Sequence, residues 1–366
     1  MKSAKKQKSR FLTSFVLLLT VLILSVSCVG CSQISFLPKN DEEPPTTDTE
    51  TSGDLPAISN PEPPPAIFYN RYTGLACDEA ISSCRPISVC IGNFDGNRQE
   101  GLSFADILTE APIDGDKTRL WALTTNPATA GTLSSVATVR DYMMPICTAF
   151  GSIGAYAGTT DKVGMGATVY PGDNLDYLYH NLSATFLKDA SGVLSTTGQA
   201  LQNAASGRGY SLTDTESPLP YRFASPDTAH TPNSNHIRSI SFRFSMANTV
   251  AFHYDQSTGK YLREQAGAAH IDSANGEQLS FSNVLLLFHN VNYYHSATET
   301  TFSLDTGSGG DGYCYTGGGV TPIHWSYAAD GTLSITDDSG ESIVLNRGKT
   351  YIGMLRITDS ASLIAK

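Results

Sequence analysis

The chain has 366 residues, 40% of them hydrophobic, 16% charged and 9% aromatic, with 32 Gly and 18 Pro. That is apolar material enough for a sizeable core, and it excludes fibrous, low-complexity and wholly disordered classes. Formal net charge at pH 7 is −11, and residues 1–30 hold five bases and no acid, so the rest of the chain carries −16 and, with no basic stripe after Arg10, argues against a nucleic-acid partner.

At the N-terminus Lys2, Lys5, Lys6, Lys8 and Arg10 precede an uncharged apolar run of 16 residues, Phe11 to Val26, and then small residues with two cysteines. This is the order of a secretory signal, basic region first and apolar region second. As a helix the run would reach about 24 Å, short of a bilayer core of about 30 Å. The cleavage region resembles the bacterial lipobox, in which small residues precede a cysteine that takes a diacylglycerol. Gly30 before Cys31 favours Cys31 as the acceptor over Cys28, and a redox or zinc role for this CxxC pair lacks the folded context it needs. Residues 1–30 are therefore expected to be the signal peptide, and 31–66 a lipidated, Pro-, Thr- and acid-rich tether that cannot form a core. The body is expected outside the cytoplasm, held by lipid to the outer face of the membrane.

Residues 67–236 alternate strand and helix signals. Cys77 and Cys84 flank a short polar loop and are the expected disulfide, closing an eight-residue ring worth about 2–3 kcal/mol. Cys90 lies in an apolar run and is read as packing, with Cys147 and Cys314 either free or a second pair. The spacing predicts a buried strand in Arg85–Asn97 that ends at Asp95-Gly96, a helix in 101–112 with Ser103 as its cap, and a strand in 118–126. A helix or turn at Pro145, a strand at 152–158, a short helix at 173–182 and a capped helix near 195–206 follow. Residues 211–236, with four prolines, read as a connection. From 237 to 366 short β-prone runs are separated by turns such as DQSTGK, DSANGE and DDSGES. The expected class is α+β, an N-terminal α/β domain followed by a β-rich domain built as a meander or small barrel.

Taken in order, these segments resemble the YerB-like lipoproteins, a family of secreted bacterial proteins classed as a domain of unknown function with a separately recognised C-terminal domain. The matching stretches are Arg85-Pro86-Ile87-Ser88-Val89, GLSFADILTE (101–110) with Thr118-Arg119, and FHYDQSTGKYLRE, AAHID, FSNVLLLF and LNRGKTYIGM in the second half. The resemblance runs from Tyr69 to Leu355 and implies architecture and location, with no agreed activity. It also marks departures. Where relatives carry Pro-Val-Arg-Ser-Ala-Arg this chain has Ser135-Val136-Ala137-Thr138-Val139-Arg140, Tyr156 stands where a His often precedes a small-residue turn, and a later Pro-His-Asn motif has no counterpart near Leu187 to Leu194. A polar site built from those groups would be partly lost here, which lowers the expectation of catalysis.

On the predicted helix Asp106 and Glu110 share a face, within reach of Arg119 and Arg140 from neighbouring elements. Such a cluster is either a pocket for acid–base work or anion binding, or a structural salt bridge at a helix end. His270 and Asp272, with Arg263 upstream, are a binding candidate set weighed against a plain β-turn. No HxxH or HExxH spacing supports a metal, no GxSxG, Walker or dinucleotide fingerprint is present, and no cofactor is implied. The single DTGSGGDG stretch (305–312) reads as a turn rather than a calcium loop. Tyr293, Tyr294, Tyr313, Tyr315, Trp325 and Tyr327 would offer sugar rings a stacking face, or pack a core. The function expected is a binding or accessory module at the cell envelope, with peptidoglycan or a wall-associated protein as partner. A cell-wall hydrolase using Glu110 or Asp106, and a small-solute capture protein, are the alternatives.

Overall fold

Strands that are apolar along their whole length need cover on both faces, and the architecture is built around that requirement. A computed structural model of the chain describes residues 66–93, 99–160, 172–232, 236–295 and 300–366. The expected signal, Cys28, Cys31, the tether and the Asp95-Gly96 turn lie outside the described residues. The first half contributes β1 (Ile87–Asn93), β2 (Ile107–Pro112), β3 (Thr118–Thr124), β4 (Ile153–Tyr156) and β5 (Asn174–Asp176). The second contributes β6 (Ser239–Arg243), β7 (Thr249–Asp255), β8 (Lys260–Gln265), β9 (Ala268–Ala269), β10 (Asn283–His289), β11 (Gly310–Thr316), β12 (Gly319–Tyr327), β13 (Leu333–Thr336), β14 (Thr350–Arg356) and β15 (Ile364–Ala365).

Among the described residues ten of these form one sheet in the order β5-β4-β1-β3-β2-β14-β10-β11-β12-β13. Its centre joins the two halves: β2 runs parallel to β14, with Ile107 opposite Thr350 and Glu110 opposite Gly353. A second, antiparallel sheet has the order β9-β8-β7-β6-β15, with Ser280–Phe281 added against β8. Alternate residues of the large sheet enter two different cores. Val89, Ile91, Val284, Leu286 and Tyr351 pack with Phe242, Phe252 and Tyr261 of the second sheet. Cys90, Leu285, Leu287, Ile352 and Met354 pack on the other face with Met143, Ile146 and Trp325.

The protein is β-rich. Its helices among the described residues are α1 (Glu79–Ser82), α2 (Met144–Ala149) and α3 (Gly198–Gly207). The helix anticipated near 195–206 is α3, with Thr197 Oγ1 accepting from the Ala200 N–H as its N-cap. The helix anticipated at 101–112 does not form. A 3-10 turn (Leu102–Phe104) leads into β2, which is buried at every residue between β3 and β14; a strand covered on both faces loses its alternation, and its apolar run then imitates helical spacing. The helix anticipated at 173–182 is β5 followed by turns, because Asp176 Oδ1 takes the N–H groups of Leu178 (2.9 Å) and Tyr179 (3.2 Å), an Asx turn that competes with helix. The Cys77–Cys84 disulfide is absent: both are free thiols, Cys77 on a two-residue strand paired to Phe68, Cys84 bridged to Thr213 with its thiol donating to the Arg85 carbonyl. Cys90, Cys147 and Cys314 are free and buried.

Candidate functional site

Glu110 sits mid-strand in β2 on the face that looks at the second sheet, and its side chain is 0% exposed. A carboxylate there needs donors for both oxygens. Oε1 accepts from Asn93 Nδ2 (2.8 Å) and Thr118 Oγ1 (2.6 Å); Oε2 accepts from Arg263 Nη2 (2.6 Å) and the Tyr351 hydroxyl (2.7 Å). Arg263, also 0% exposed, comes from β8 in the opposing layer. Its Nη1 bonds Gln265 Oε1 (3.1 Å) and the Nδ1 of His270, while His270 Nε2 bonds Gln99 Oε1 (2.5 Å). Gln99 Nε2 returns to Asn93 Oδ1 (2.8 Å), which closes the ring of contacts. Burial, and then Glu110 beside it, hold the Tyr351 hydroxyl well above the ordinary tyrosine range, so it remains a donor.

The structure thus joins Glu110 to Arg263 and His270, and separates Glu110 from the partners anticipated on a helix. Asp106 lies before β2, its Oδ2 taken by the Thr125 N–H and hydroxyl, both 2.7 Å, and burial raises its carboxyl. Arg140 pairs with Asp114. Arg119 reaches the carbonyl of Thr138. Asp272 has a fixing role: Oδ2 takes the Ser103 N–H (2.7 Å) and Oδ1 the Gly101 N–H (3.1 Å), so a second-half carboxylate caps the 3-10 turn of the first. Asn93, Gln99, Thr118, Gln265 and Tyr351 are absent from the sequence-based set. Their one signal is a polar side chain placed inside or beside an apolar strand run.

Trp325 is corrected as a binding residue. It occupies an inward position of β12, is 2% exposed, and packs on His289 with ring centroids 4.2 Å apart. Tyr315 is buried as well, whereas Tyr293 and Tyr313 are exposed, so the aromatic set forms no common face.

Concavities among the described residues open to solvent at two places of note. A groove of about 700 Å³ lies beside β11 and β12, lined by Phe288, Tyr313, Ile323, His324 and Ile357 among others. On its rim His324 bonds Asp311 (2.8 Å) and Asp338 (3.1 Å), and those two contacts raise the imidazole above its usual range. A cleft of about 410 Å³ lies beside β1 and β3, lined by Gly92, Arg119, residues 135–138, Ala157 and residues 191–194.

Residues 72–211 match the N-terminal domain, and residues 240–352 the C-terminal domain, of the family described as protein of unknown function (DUF3048). The chain belongs to this family. Within 301 aligned residues it is 27% identical to YerB of Bacillus subtilis (strain 168), which is named as a lipoprotein, over 80% of this chain and 87% of that one. The crystal structure of the YerB protein from Bacillus subtilis superposes with a TM-score of 0.67 at 22% identity, over 82% of this chain and 99% of that one, which establishes a shared fold. Among the described residues no helix is long and apolar enough to cross a membrane.

Proposed function

We propose that the protein is a binding module displayed at the cell envelope, secreted by its N-terminal signal, lipidated at Cys31, and carried away from the membrane on the tether of residues 31–66. Its ligand is the glycan of the cell wall, held in the groove beside β11 and β12. The observation that carries this reading is the groove itself: about 700 Å³, with the exposed ring of Tyr313 against Phe288 at a centroid distance of 6.0 Å, and Asp311 and His324 at the rim. An aromatic face beside carboxylate and imidazole groups is the chemistry that sugar rings and their hydroxyls call for. A binding role is favoured over hydrolysis because the strongest acid–base constellation, Glu110 with Arg263, is 0% exposed and has all four of its carboxylate bonds filled from within.

The test is co-sedimentation of the full chain with purified peptidoglycan sacculi, followed by analysis of the supernatant for muropeptides. Binding without release, weakened by Tyr313→Ala, is expected. Released muropeptides would replace the reading with a hydrolase, and a chain that stays in the supernatant would rule out the wall as ligand.

A further inference from the structure

Among the described residues that line the 410 Å³ cleft, Arg119 is the charged one, in a chain whose net charge is −11. Arg119 extends from β3 and is half-buried, and among the described residues no carboxylate pairs with it. Its hydrogen bonds go to neutral oxygens only: Nε to the Thr138 carbonyl (3.0 Å), Nη1 to the Thr118 carbonyl (3.4 Å) and Nη2 to Thr138 Oγ1 (3.4 Å). A guanidinium carries five N–H groups, so one remains on each terminal nitrogen to donate to an oxyanion. Thr138 Oγ1 accepts from Arg119 and keeps its own proton to donate.

Arg140 adds positive potential to Arg119 and is itself tied to Asp114. Asp189, behind the 191–194 segment, has Oδ1 occupied by the Ser191 N–H (2.9 Å), the Ser191 hydroxyl (2.7 Å) and the Val193 N–H (2.9 Å). A cation held partly out of water without a counter-charge is unfavourable, and burial together with Arg140 lowers its proton affinity. An anion entering the cleft would relieve both.

We propose that this cleft is a binding site for a phosphoryl group, gripped by the two free N–H groups of Arg119 and the Thr138 hydroxyl. Three donors from two side chains suit the several oxygens of a tetrahedral phosphate better than the two of a planar carboxylate. The cleft is separate from the groove of the proposed wall-binding function, and neither assignment depends on the other.

Calorimetric titration of the full chain in detergent, with inorganic phosphate and then glycerol phosphate in a chloride buffer, tests it. Saturable binding is expected, weakened at least about tenfold by Arg119→Gln and less by Thr138→Val, with unchanged affinity in the remote variant Arg208→Gln. Thermal unfolding without ligand shows whether each variant is folded; should Arg119→Gln fail to fold, Thr138→Val carries the comparison. Doping the micelles with phosphatidylglycerol identifies the source of the phosphoryl group: competition with glycerol phosphate supports a lipid headgroup in the same site, and its absence supports a soluble or wall-borne phosphate. An unsaturable signal in the native chain, equal binding by Arg119→Gln and native protein, or acetate binding as tightly as phosphate would overturn the assignment.

Discussion

At Glu110 four donors meet two oxygens, and the charge of Arg263 is matched in a place that water does not reach. Such a pair contributes little over an apolar substitute, yet breaking it leaves a buried charge alone at a cost of about 3–5 kcal/mol. Glu110→Gln should therefore lower stability by about that amount, while the double change Glu110→Leu with Arg263→Met recovers more than half of the loss; urea unfolding of the native chain, the single changes Glu110→Leu and Arg263→Met, and the double change gives the coupling directly. A catalytic Glu110 would instead leave stability intact and abolish turnover. His289 offers a pH test. Burial against Trp325 lowers its imidazole to about 4, with Nδ1 donating to the Asp305 carbonyl (3.1 Å), whereas a free histidine titrates near about 6.5. As pH falls the unfolded chain takes up the proton first, so this stabilisation is whole above about pH 6.5 and declines toward pH 4, by about 3 kcal/mol at the limit. The difference between native protein and His289→Phe in unfolding free energy at pH 7 and pH 4.5 isolates it from the carboxylates, and an unchanged difference would show that His289 protonates freely in the fold.

Among elements, α3 shows how a short helix is placed. Thr197 caps its first turn, and Gly198 begins it because a Cβ there would fall on the carbonyl of Pro127. Two substitutions have opposite rationales. Thr197→Ala removes the cap and should cost about 1 kcal/mol. Gly198→Ala improves intrinsic helix propensity by about 1 kcal/mol but should still destabilise the protein by about 1–3 kcal/mol through the clash. A gain in melting temperature for Gly198→Ala would mean that α3 does not dock against Pro127. β2 carries the opposite lesson. Its residues Ile107 and Leu108, with Leu102 and Ala105 before them, have near-helical spacing, and pairing with β3 and β14 makes the run from Ile107 a strand.

For the whole molecule, the decisive contact is the parallel pairing of β2 with β14, which makes one ten-stranded sheet from both halves of the chain. Asp272 capping the 101–103 turn and Arg263 bonding Glu110 fasten the second sheet across the same line. Segments 67–236 and 237–366 expressed apart would each expose an unpaired central strand and unmatched buried charges. Neither is expected to unfold cooperatively alone, and mixing the two should restore a cooperative transition. Dispersed amide spectra from either segment by itself would show that the shared sheet is dispensable.

Family membership, β-rich character in the second half, a Thr- or Ser-capped helix near 195–206 and the strands at 87–93 and 118–124 were legible in residue order, because each rests on local periodicity, turn chemistry or a chain of ordered motifs. His270 and Arg263 stood out in one candidate set with Asp272, and Glu110 in another with Asp106, Arg119 and Arg140. Their partnership was not legible: 153 residues separate Glu110 from Arg263, and no local rule links side chains that meet only when two sheets stack. Tertiary structure alone decided that the apolar run after Ala105 is a strand, that Cys77 and Cys84 stay apart, that Trp325 faces inward, and that no carboxylate among the described residues pairs with Arg119. In each case the outcome is set by what covers the residue, and cover is supplied by segments distant in sequence.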